Sequence, residues 1–87
     1  MKLLLAVVRD IDTESILNAL LPRGYRITRL ASTGGFLRRG STTLMMGVDE
    51  GYENEVIDLL KHAVGEPDPD QHRLTIFILD ALNIEHI

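Results

Sequence analysis

The chain predicts an α+β domain of βαββαβ order, the ferredoxin-like sandwich in which one antiparallel sheet carries both helices on a single face. Three observations lead there. Four apolar or β-branched segments have strand length, two segments with apolar residues at helical spacing lie between them, and a glycine-rich stretch separates the middle pair of strands. The 87 residues, 45% of them apolar, suit one domain, 1–87, with a single core.

Lys2 to Arg9 is an apolar run of strand length. Its opening could pass for the start of a signal peptide, but Arg9 and Asp10 end the run early and no small-residue cleavage site follows, so it reads as a strand. Asp12 offers an N-cap oxygen to a helix over Thr13 to Leu21, whose apolar face is Ile16, Leu17, Leu20 and Leu21 and which Pro22 and Gly24 stop. Tyr25 to Ser32 and Thr42 to Asp49 are β-branched and apolar segments flanking Thr33 to Ser41, a hairpin with a long loop. Tyr52, Val56, Leu59, Leu60 and Ala63 recur at helical spacing, and Gly65 suits the end of that second helix. Glu66 to Gln71 is a polar linker, Arg73 to Asp80 the last strand, and Ala81 to Ile87 a tail.

A sheet covered on one face only should alternate apolar and polar residues. This one does not. Leu3, Leu5 and Val7 oppose Leu4, Ala6 and Val8, and Leu74, Ile76 and Ile78 oppose Thr75, Phe77 and Leu79. An apolar second face is a liability on a lone molecule, which predicts a closed homo-oligomer with ligand sites in the clefts between subunits.

Charge is the strongest functional signal. Between Glu14 and Asp49 there is no acid, while Arg23, Arg26, Arg29, Arg38 and Arg39 give that stretch a formal charge of plus five inside a chain whose net charge is −4. Gly34, Gly35 and Gly40 allow backbone N–H groups to turn toward an anion, and the arginines of this stretch add planar forks that match phosphate oxygens in pairs. Phe36 offers a ring for a purine to stack on, while Thr28 and Ser41 to Thr43 supply short hydroxyls. The ligand this suggests is a small phosphorylated purine. The competing reading is a glycine hairpin with solvated arginines, and a short Gly-rich stretch does not decide between them.

Other chemistries are disfavoured. With no cysteine there is no disulfide framework or thiolate chemistry, in keeping with a cytoplasmic protein, and no segment has the length of a membrane span. An acidic chain with four aromatic residues and no Trp is a poor general nucleic-acid binder. His62, His72 and His86 lack the paired spacing of metal ligands, and no metal or other cofactor is expected. Met45 and Met46 read as core filler, and Glu53, Glu55 and Asp58 as the solvated face of the second helix. Ser32, Thr33, Ser41 and Thr42 have no histidine in local reach, and the acid-free stretch leaves the candidate cleft without carboxylates of its own, so no catalytic constellation is expected.

Several motifs together resemble the cyclic-di-AMP receptors, trimeric PII-like signalling proteins. They are Met1-Lys2-Leu3, Asp10-x-Asp12, Arg26-x-Thr28-x-Leu30-Ala31, the string Thr33-Gly34-Gly35-Phe36-Leu37-Arg38-x-Gly40-x-Thr42-Thr43 followed by Gly47, and Thr75-x-Phe77. The resemblance implies a non-enzymatic homotrimer that binds cyclic-di-AMP or a related adenine nucleotide between neighbouring subunits and signals to a downstream protein. It places Arg26 and Thr28 beside the nucleotide, has Gly35, Phe36 and Leu37 hold an adenine, lets the ligand approach the strand at Gly47, and lines the pocket with Phe77. The chain departs from the family at Ser41 and Gly24, where Asn occurs, at His86, where Gln is familiar, and in the shortness of Glu66 to His72. Two alternatives share the fold: a PII-type regulator binding ATP or ADP, and a ferredoxin-like enzyme or assembly module without a nucleotide.

Overall fold

The computed structural model describes residues 1–32, 40–67 and 72–80. Six elements follow the expected order: β1 (Lys2–Arg9), α1 (Thr13–Leu20), β2 (Ile27–Ser32), β3 (Ser41–Val48), α2 (Glu53–Ala63) and β4 (Leu74–Asp80). The strands form one antiparallel sheet in the order β2-β3-β1-β4. This is the ferredoxin-like α+β arrangement, with β2 and β4 at the two edges of the sheet.

Strand periodicity decides which side chains meet the helices. Leu4, Ala6 and Val8 of β1 and Leu44, Met46 and Val48 of β3 point to one face, where they join Ile16 and Leu20 of α1 and Val56 and Leu60 of α2 in a fully buried core. Truncating one of these leucines to Ala would cost about 2–5 kcal/mol, because the close-packed surroundings relax only partly. The other face carries Leu3, Leu5 and Val7, half-buried, beside Phe77 and Leu79, which are 53% and 49% exposed. Both faces are therefore apolar, and the helices cover one.

Helix boundaries differ from expectation in instructive ways. A 3₁₀ turn, Asp10–Asp12, precedes α1, and another, Leu21–Arg23, follows it, with Pro22 inside the turn. The tighter winding swings Leu21 out of the expected apolar face, and it is 51% exposed. Gly24 ends this segment in the left-handed region, φ 88°, with its N–H donating to the Leu21 carbonyl at 3.0 Å.

Asp12 does not cap α1 with its side chain. One of its oxygens accepts from Arg9 Nε at 2.8 Å and the other from the Gly65 N–H at 2.9 Å. Arg9 and Asp12 are 3% and 5% exposed, so the corner is a buried ion pair linking the end of β1 to the exit of α2. Gly65 serves that corner rather than closing the helix, which gives way to extended backbone at Val64: a Cβ on Gly65 would lie 3.2 Å from Asp12 Oδ1. The same corner holds the far side of the β2–β3 connection, because the Asp10 N–H donates to the Gly40 carbonyl at 2.9 Å and Thr42 Oγ1 donates to the Asp10 carboxylate. At the other end of the sheet Lys2 Nζ donates to Asp80, the residue opposite it on β4, which raises the lysine's pKa and lowers the carboxylate's.

Candidate ligand cleft

A cleft of about 820 Å³ opens on the helix-free face where β2 begins and β3 ends. Pockets of this size suit small molecules. Thr28 and Met45 pair across β2 and β3, and Leu3 pairs with Gly47 across β1 and β3, so alternation aims these four positions at the same side. Arg26 lies just before the paired stretch of β2 and shares the cleft wall with them. Arg26 and Thr28 are exposed, and no described residue pairs with the Arg26 guanidinium.

Of the acid-free stretch, the cleft gathers Arg23 and Arg26. They are not equivalent: Arg23 donates to Glu55 of α2 at 3.3 Å, leaving Arg26 as the guanidinium available to a ligand. Gly47 allows close approach to β3, and here the Met1 side chain occupies that space, its sulfur 3.2 Å from where a Cβ would stand. A flexible thioether is easily displaced.

The remaining expected site residues separate into three groups. Ser41 begins β3, six residues from Gly47 and so about 20 Å along the strand, and it does not line the cleft. Phe77 lies in the cross-strand row Thr28, Met45, Leu5, Phe77. It is on the same face as Thr28 but at the opposite edge of the sheet, three strand spacings or about 14 Å away. A single copy of the chain does not bring Phe77 to Arg26. Gly34, Gly35, Phe36, Leu37 and Arg38 lie outside the described residues.

The cleft also holds residues that the sequence pattern did not assign to it: Tyr25, Asp49, Tyr52 and Met45. Tyr52 was expected in the apolar face of α2, but it precedes the helix and is 53% exposed. Met45 faces the cleft, while its neighbour Met46 is the buried one. Asp49 corrects the expectation that the walls carry no carboxylate. Burial first, and then the Glu55 carboxylate, push the Tyr25 phenol above its ordinary pKa. Among the described residues no group of three His, Cys, Asp or Glu side chains is placed to hold a metal, and no helix is long and apolar enough to cross a membrane.

A solved structure has a similar fold. The chain is similar to a functionally unknown protein from Pediococcus pentosaceus ATCC 25745, known from its crystal structure, at 29% identity and a TM-score of 0.76, over 99% of this chain and 96% of that one. Residues 1–71, which include β1 to α2, the Arg26, Thr28 and Gly47 wall and the glycine-rich string, match the family described as Cyclic-di-AMP receptor. With that match covering most of the sequence, the chain belongs to the cyclic-di-AMP receptor family.

Proposed function

We propose that this protein is a non-enzymatic, PII-like receptor that binds cyclic-di-AMP or a related adenine nucleotide at the seams of a homotrimer. The observation that carries the reading is the Arg26 guanidinium, unpaired among the described residues and sharing a cleft with Thr28 and Gly47. Arginine of this kind offers a bidentate fork to a phosphodiester, and the strand hydroxyl adds a donor. Phe77 supports the placement at a seam: its ring lies on the same face as the cleft but at the far edge, so a neighbouring copy is the natural source of the second wall. The apolar strip of Leu3, Leu5, Val7, Phe77 and Leu79 favours covering that face with other subunits.

The signal leaves through residues 33–41, which carry Phe36, Leu37 and Arg38 and whose far end is tied to Asp10. Ligand bound against this connection changes the surface offered to a downstream protein, which thereby discriminates occupied from empty receptor.

Titration calorimetry with cyclic-di-AMP, ATP, ADP and AMP tests the proposal. Binding of at least one is expected, and no heat from any at tens of micromolar protein would remove it. Arg26→Ala should weaken binding by about 1.5–3 kcal/mol, the scale of a hydrogen bond to a charged group. An unchanged affinity would place the phosphate elsewhere.

A further inference from the structure

We infer that Asp49 sets the specificity of the cleft: its carboxylate accepts the exocyclic amine of an adenine and repels nucleotides that carry extra phosphate charge. The inference rests on the binding reading above and deepens it.

The cleft has an unusual electrostatic balance for an anion site. Its walls contain two guanidinium groups and one carboxylate, and Arg23 is paired with Glu55. What remains is one unpaired cation, Arg26, and one carboxylate, Asp49, which has no side-chain partner among the described residues. A triphosphate would meet this wall with several negative charges and one guanidinium to receive them. A phosphodiester presents one charge to Arg26, and the carboxylate is then free to act as an acceptor. An amine-bearing base supplies the donor such an acceptor needs.

Asp49 is also held in place. The Tyr52 N–H donates to the Asp49 carbonyl at 3.1 Å, closing a four-residue turn, and Gly51 takes the positive φ, 95°, that a type II turn requires at its third residue. The Gly51 N–H is in turn held by the Glu53 carboxylate at 2.9 Å. This turn carries Asp49 and the exposed Tyr52 ring on one rim of the cleft, so acceptor and stacking surface are presented together.

Two variants separate the two roles, and both side-chain changes are at an exposed position that has no side-chain partner among the described residues. Asp49→Asn keeps an acceptor oxygen and removes the charge; it should bind ATP about fivefold more tightly, the scale of one near-surface charge repulsion, with cyclic-di-AMP changed less than about twofold. Asp49→Ala removes the acceptor; cyclic-di-AMP should weaken by roughly tenfold, while the 6-oxo analogue cyclic-di-IMP, which lacks the amine, should not weaken. Calorimetry on folded protein, with matched melting curves, reads all four affinities. If the wild type binds cyclic-di-AMP yet Asp49→Ala leaves its preference over cyclic-di-IMP unchanged, the inference fails and the binding reading stands. If the wild type binds ATP but neither dinucleotide, the inference fails and the broader binding reading stands; if it binds no adenine nucleotide at all, that reading fails as well.

Discussion

Replacing Asp12 with Ala tests the buried corner most severely. The substitution leaves the Arg9 guanidinium, 3% exposed, without its Nε acceptor, and its NH2 nitrogen has no acceptor among the described residues. An uncompensated buried charge of this kind costs about 3–5 kcal/mol. The Gly65 N–H loses its acceptor too, which adds about 1 kcal/mol. The combined loss of about 4–6 kcal/mol is a large part of the 5–15 kcal/mol typical of a domain, so Asp12→Ala should be largely unfolded at modest denaturant. Urea unfolding, run at one fixed protein concentration so that the proposed assembly would contribute equally to both proteins, reads the change. The double variant Arg9→Met with Asp12→Leu removes both charges and should recover all but about 1 kcal/mol, keeping the argument measurable even where the single variant fails to fold. A loss below about 1 kcal/mol in Asp12→Ala would mean that water reaches Arg9 and that the corner is not dry.

Gly65→Ala should destabilise by about 1 kcal/mol, since its Cβ would press on the Asp12 carboxylate at 3.2 Å and that group cannot move without lengthening two hydrogen bonds; a neutral or stabilising result in the same urea assay would show that the corner yields freely. Tyr25, whose phenol titrates above the ordinary 10.0 in the folded chain, contributes stability that is present below that pH and lost as pH rises through its folded pKa. Tyr25→Phe should flatten the alkaline loss of stability, and superimposable curves for the two proteins would contradict the burial argument. On the helix-free face, Phe77→Asp should convert the proposed assembly to a monomer in light scattering; an unchanged mass would remove that face from the proposed interface.

Much of the fold was legible because it depends on short periods. Alternation alone sorts Leu4, Ala6 and Val8 from Leu3, Leu5 and Val7, and helical spacing finds Val56 and Leu60. What escaped was set by distant partners. Asp12 has the local chemistry of a cap, but Arg9 and an amide 53 residues away take both its oxygens. Tyr52 stands four residues before Val56, the spacing of a shared helix face, yet the helix begins after it and the ring turns to the cleft. Leu21 fails for a related reason, the change of winding at Pro22. In the site, Arg26, Thr28 and Gly47 line one cleft. Asp49 was read as the boundary of the acid-free stretch rather than as a wall, and its place depends on how β3 ends against the start of β2. The separation of Phe77 from Arg26 needed the register of three strand pairs.

The placement of Arg26 and Phe77 at opposite edges of the sheet has a genetic corollary. In a ring built as proposed, each pocket borrows its two walls from different polypeptides. Co-expressing an Arg26→Ala allele with a Phe77→Ala allele would then yield hybrid rings in which one pocket of the three receives a sound wall from each parent. Two individually defective alleles would complement each other in the same cell, which a pocket confined to one polypeptide does not allow.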